Sequence, residues 1–130
     1  MPLTPVNPES LARPSGYSHG IRGSGDAVFV AGQVGWDREG RMVSADFVAQ
    51  FAQALDNVLA VVAAAGGTPA SVARMVVYVT DKHEYRRRLQ ELGEAWRRRM
   101  GRHYPAMALL EVKSLLEDEA KVEIEATALV

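Results

Sequence analysis

Two glutamates, Glu123 and Glu125, stand two residues apart in the closing segment Lys121-Val122-Glu123-Ile124-Glu125-Ala126-Thr127-Ala128-Leu129-Val130. The segment alternates strictly, with Lys121, Glu123, Glu125 and Thr127 pointing one way and Val122, Ile124, Ala126 and Ala128 the other. Period two predicts a strand with one polar and one apolar face. The two carboxylates then project side by side, about 7 Å apart at strand rise. If that face closes over a pocket, Glu123 or Glu125 is a candidate acid or base. If it faces water, the pair is an ordinary solvated surface. Gly32 is the next position of interest, because it follows the apolar run Ala27-Val28-Phe29-Val30-Ala31. A glycine there marks a bulge, a bend, or a place where another group comes close to the backbone. Two triple-arginine runs, Arg86 to Arg88 and Arg97 to Arg99, complete the set. On one continuous helix they would stack Arg86 near Arg97 and Arg87 near Arg98, a ridge able to meet nucleic-acid phosphates. Glu84, Glu91 and Glu94 share that surface and no aromatics interleave. A solvated helix face is therefore the expectation, and nucleic acid is not.

Composition removes other chemistries. With no cysteine there is no disulfide, thiolate catalysis or cysteine metal site. His19, His83 and His103 are scattered, with no pair at ligand spacing, so no metal is expected. The chain has 130 residues, 48% hydrophobic and 24% charged, with net charge −1. One domain spanning residues 1–130 can bury a proper core. The whole-molecule charge gives no pull toward nucleic acid or acidic membranes. No apolar run is read as a membrane span and no signal pattern opens the chain, so a cytoplasmic protein is expected.

The elements that must position these residues follow in order. Four prolines between Pro2 and Pro14 make an extended, irregular lead-in with room for one edge strand. Tyr17 to Arg22 reads as a short strand, partnered in a hairpin with Ala27–Ala31, itself read as a buried central strand. Ser44 is the expected N-cap of a helix, with Asp46 in its first turn. Phe47, Phe51, Leu55, Val58 and Val62 form its apolar seam, and Gly66-Gly67 stop it. Val72 to Val79 is a strand. A second helix runs from Asp81-Lys82 to Gly101, with its stripe at Tyr85, Leu89, Leu92, Trp96 and Met100. The order predicts an α+β domain, two helices on one face of a mixed sheet. The other face also carries apolar residues, and self-association is the simplest cover for it.

With these placed, the chain resembles the Rid family (YjgF/YER057c/UK114; reactive intermediate deaminases, also called endoribonuclease L-PSP). The likeness spans nearly the whole length. It rests on Gly16-Tyr17-Ser18-His19-Gly20, Val30-Ala31-Gly32-Gln33-Val34, Gln53-Ala54-Leu55-Asp56-Asn57-Val58, Ala64-Ala65-Gly66-Gly67, Val77-Tyr78-Val79-Thr80-Asp81, Tyr104-Pro105-Ala106 and Val122-Glu123-Ile124-Glu125-Ala126. The resemblance implies a chorismate-mutase-like fold in a homotrimer with a central barrel and a pocket at each subunit interface. It further implies cofactor-free hydrolysis of enamines and imines to 2-oxo acids and ammonia. Tyr17 would line the pocket, Gly32 would offer backbone contacts, and Glu123 would place or activate water.

One departure stands out. Active members carry arginine directly after the aromatic-Pro-Ala triplet, where it forks onto the substrate carboxylate. Here that position is Met107, followed by Ala108. Losing such a contact inside a pocket costs about 1.5–3 kcal/mol of binding. Arg22, Arg74 and Lys113 are the cations considered as replacements. The acidic stretch Ser114 to Ala120 also stands where a short Leu-Pro connection is expected. His19, two residues after Tyr17, would share its strand face and could hydrogen-bond a ligand, or be an ordinary half-buried histidine. The first reading of function is thus a small-molecule pocket, lined by Tyr17, His19, Gly32 and Met107, that hydrolyses a C–N substrate other than a standard 2-imino acid. The second is a non-catalytic trimer that binds metabolites. A ribonuclease or translation inhibitor comes last, for want of any His-His or His-Lys pair.

Overall fold

The computed structural model describes residues 2–130. Six strands and three helices appear in the order β1 (Thr4–Val6), β2 (Gly20–Arg22), β3 (Ala27–Val34), α1 (Phe47–Ala64), β4 (Val72–Val79), α2 (Lys82–Arg87), α3 (Leu89–Met100), β5 (Ala106–Glu111) and β6 (Val122–Leu129). The main sheet has the order β3-β6-β4-β5. β6 is antiparallel to both neighbours, and β4 and β5 are parallel, connected through α2 and α3. The sheet is therefore mixed, with its two long helices on one side, as the alternation of elements predicts.

The last strand holds the centre. Val122, Ile124 and Ala128 are wholly buried and Ala126 nearly so, while Glu123, Glu125 and Thr127 are half-buried on the opposite face. The buried set packs with Met75 and Val77 of β4 against Leu55, Val58 and Val62 of α1. Each of the valine, leucine, isoleucine and methionine side chains contributes about 1.5–3 kcal/mol by leaving water.

Four local expectations are corrected. Residues 17–22 do not form a hairpin with β3; β2 pairs with β1, in the register Thr4↔Arg22 and Val6↔Gly20. Accordingly β3 is an edge strand, not a central one, and Phe29 on the sheet's open face is 80% exposed. At the start of α1 the cap is Asp46, whose carboxylate accepts from Ala49 N at 3.0 Å, while Ser44 Oγ accepts from Asp46 N. Finally, the second helix is two helices. Arg88 breaks it at φ −110°, ψ 19°, where its guanidinium meets both Asp46 and Glu91. The arginine runs therefore do not share one helix, and the expected stacking of Arg86 on Arg97 is lost.

α1 also alters the membrane reading, because it is long and apolar enough by composition to cross a bilayer. Two of its polar residues, Gln50 and Asn57, are committed inside the domain instead. Gln50 is fully buried, donates to the carbonyls of Ser44 and Glu119, and accepts from Lys121 N. Asn57 donates to the carbonyls of Val34 and Trp36. This is a core helix that also clamps two loops.

Candidate functional site

The candidate residues fall into two groups, each built by a local irregularity of the backbone. The first lies on the open face of the sheet. Between β3 and β6 the register runs Val30↔Ala126 and then Gln33↔Ile124, so Ala31 and Gly32 together oppose Glu125 alone. This is a β-bulge. The carboxylate of Glu123 packs onto the bulged backbone. A Cβ at Gly32 would lie 2.9 Å from Glu123 Cδ and closer still to Oε2. Of the readings open for Gly32, both the bulge and the close approach are realised, and the approaching group is the candidate acid-base residue itself.

The two glutamates are not equivalent. Glu125 accepts a hydrogen bond from the Tyr78 hydroxyl on β4. That bond holds the phenol's pKa above its ordinary value, helped by desolvation and by the charges of Glu125 and Glu123. Glu123 sits directly across from Tyr78 in the β4–β6 register. Among the described residues nothing donates to it and no cation pairs with it. One carboxylate is thus engaged in structure, and its neighbour is half-buried and uncommitted. Tyr78 stood in the sequence only as part of the strand Val72–Val79 and the motif Val77–Asp81, and its bond to Glu125 depends on strand register.

The second group surrounds the start of β5. Ser18 pins the preceding loop there, its Oγ donating to the Tyr104 carbonyl at 2.6 Å and its N–H to the Pro105 carbonyl at 3.0 Å. An isolated parallel bridge joins Ser18 to Ala106. Tyr17 and His19 flank this anchor and their rings meet edge to face, centroids 5.3 Å apart. The His19 ring is occupied within the chain, its Nε2 lying 2.6 Å from the Ala12 carbonyl, which puts the proton on Nε2. Met107 pairs in register with the fully buried Met75, so its side chain points toward the helices. There it lines a groove of about 380 Å³ together with Trp96, Tyr104, Leu89 and Leu109. Trp96 and Tyr104 stack nearly parallel, at 6.1 Å and 4°.

Within one chain the two groups do not converge. Glu123 and Gly32 lie on the open face, Met107 lies on the helix face, and β4 separates their strands. Tyr17 and His19 stay with Met107's end of the sheet. Of the six arginines in the two runs, Arg88 and Arg99 are tied into ion pairs with Asp46, Glu91 and Asp56. Another cavity, of about 630 Å³, lies beside the Ser114–Ala120 loop and is lined by Ser44, Thr80, Lys113, Asp118 and Lys121, apart from both groups. No cluster of metal-binding side chains exists among the described residues.

A mixed four-stranded sheet backed by two long helices is the architecture of a known class of α+β domains. Residues 8–130 match the family described as Endoribonuclease L-PSP. The chain belongs to that family, the Rid or YjgF family. It is 34% identical over 104 residues to a 2-iminobutanoate/2-iminopropanoate deaminase of Escherichia coli, covering 80% of each chain. Among solved structures it resembles a Rid-family protein from Yersinia pestis, with TM-score 0.88, 34% identity and full coverage of both chains. It also resembles TdcF of Escherichia coli, solved with bound serine, at TM-score 0.71 and 28% identity, covering 92% of this chain and 91% of that one.

Proposed function

We propose that this protein is a Rid-type hydrolase of enamines or imines, working in pockets that two copies of the chain complete within a homotrimer. One copy supplies the Met107 groove and, on the loop pinned at the start of β5, Tyr17 and His19. The other supplies Glu123 above the Gly32 bulge. The observation that carries this reading is the contrast between the glutamates: Glu125 is held by Tyr78, and Glu123 is left half-buried without a partner. A carboxylate so placed can hold a water and take its proton as the oxygen attacks an iminium carbon, which is already electrophilic. The amine nitrogen then leaves as ammonia or an amine once it has been protonated, and no cofactor is required. Deaminase activity on 2-iminobutanoate and 2-iminopropanoate belongs by name to the Escherichia coli relative. Here Met107 offers no donor where a short imino acid would place its carboxylate, so the substrate class is different. A cytoplasmic location belongs to the same proposal.

The test generates aldimines without an adjacent carboxylate, using a flavin amine oxidase on arylalkyl amines, and traps what survives with semicarbazide. Wild type should reduce the trapped fraction. Glu123→Ala should lose about 10²–10⁴-fold in rate, the usual worth of a general base. A wild type that leaves every imine untouched while binding such ligands would favour the non-catalytic, metabolite-binding reading.

A further inference from the structure

The α2 and α3 side of the groove beside Met107, from Tyr85 to Arg97, is built by residues that lie outside the motifs carrying the family likeness. Apart from Ser15, two glycines and one arginine the groove's lining is apolar or aromatic, and no acidic side chain lines it. Tyr85 contributes a phenol whose pKa burial pushes up, so it carries no charge near neutral pH. One charged side chain is left, Arg97 of α3. Its guanidinium folds back along its own helix onto Gly93, four residues earlier. A Cβ at Gly93 would stand 3.0 Å from Arg97 Nη1 and 3.7 Å from Cζ and Nη2. Glycine inside a helix is unfavourable on propensity. Here it leaves a saddle into which the guanidinium folds, beside the groove. Unlike Arg88 and Arg99 on the same stretch, Arg97 has no ion-pair partner among the described residues.

We infer that Arg97 is the anion-binding residue of this groove, and that the ligand is an amphipathic molecule whose apolar body lies along Met107, Trp96 and Tyr104 and whose carboxylate, remote from the reacting C–N bond, meets Arg97. This rests on the reading of the groove as half of the reaction pocket and names the substrate class that pocket accepts. The cation has moved from β5 to α3, so the anionic group moves with it, away from the position next to the imine carbon. The planar fork of a guanidinium suits a carboxylate. Apolar walls strengthen the contact by lowering the local dielectric. The substrate class that follows is an aromatic or branched imine carrying a terminal carboxylate, rather than a short 2-imino acid.

Calorimetric titration of the full-length protein with 3-phenylpropanoate and with 3-phenylpropanamide tests this without requiring catalysis. Wild type should bind the acid about tenfold more tightly than the amide, the size expected for one charge-assisted contact. Arg97→Ala should abolish that preference, the acid then binding no more tightly than the amide, and Arg97→Lys should keep part of it. Equal binding of acid and amide by wild type, a preference that survives Arg97→Ala, or binding of neither probe would each overturn the inference. Because the readout is affinity, a protein that binds as stated yet hydrolyses no imine contradicts only the catalytic reading.

Discussion

At Gly32, Glu123 and Tyr78, the roles depend on who stands across the strand. Glu123 and Glu125 look alike in the sequence; their difference arises from a bulge on one side and a tyrosine on the other. The Gly32 contact makes a sharp prediction. Gly32→Ala should cost about 1–3 kcal/mol, as overpacking does, and most of that cost should vanish in a Glu123→Ala background, because the clash is with that side chain. Urea unfolding of the four proteins of this cycle checks it, and equal costs in both backgrounds would refute the contact. Tyr78 adds a pH signature. Its phenol pKa is raised in the fold, so the stability it contributes is complete below the ordinary value of 10.0 and disappears as pH rises through the folded value. Tyr78→Phe should flatten the alkaline limb of the melting-temperature profile, and an unchanged limb would exclude the bond. What sequence reasoning could see here was the alternation of β6 and the glycine. The register that makes one glutamate structural and leaves the other free is a long-range property, invisible to local pattern.

At the scale of elements, apolar periodicity carried far. The seam of α1, the strand Val72–Val79 and both faces of β6 lie where their spacing puts them, because each must bury one face. Pairing partners and helix breaks did not follow from spacing. β2 turned to the proline-rich lead-in, and Arg88 divided the second helix without any proline or glycine to announce it. Arg88 is also testable. Its guanidinium holds the Asp46 carboxyl below the ordinary 3.8 and lowers Glu91 in the same way. Their contribution is therefore complete above the unfolded carboxylate range and is lost as pH falls through the folded values. Arg88→Ala should lower the melting temperature at neutral pH and shrink the difference from wild type as pH drops toward 3; a gap that stays constant would contradict the linkage. Gly93→Ala tests the saddle on α3. Helix propensity predicts a gain of up to about 1 kcal/mol, since only the flexible end of Arg97 has to shift. The same variant should weaken the acid-over-amide preference, and a stabilised variant with that preference intact would separate Gly93 from the groove's chemistry.

Across the whole molecule, the open sheet face and the separation of the two residue groups raise the same question. Phe29 stands 80% exposed on a face that also carries half-buried Glu123 and Thr127, and Leu110 at the opposite edge is 43% exposed. The proposal that three copies assemble accounts for both features, because such association would cover this face and bring Glu123 of one copy toward the groove of another. Light scattering should then return three times the 14.2 kDa chain mass, and Phe29→Glu should lower it. The central claim, that a Rid-type reaction pocket survives here with its carboxylate site retuned, is tested most directly by restoring the missing arginine. In a coupled assay an amino-acid oxidase generates 2-iminopropanoate, and semicarbazide traps what remains. Wild type should leave this short imino acid almost untouched, Met107→Arg should hydrolyse it, and Met107→Arg combined with Glu123→Ala should be inactive again. A wild type that already hydrolyses it efficiently, or a Met107→Arg protein that assembles correctly and stays silent, would contradict the account.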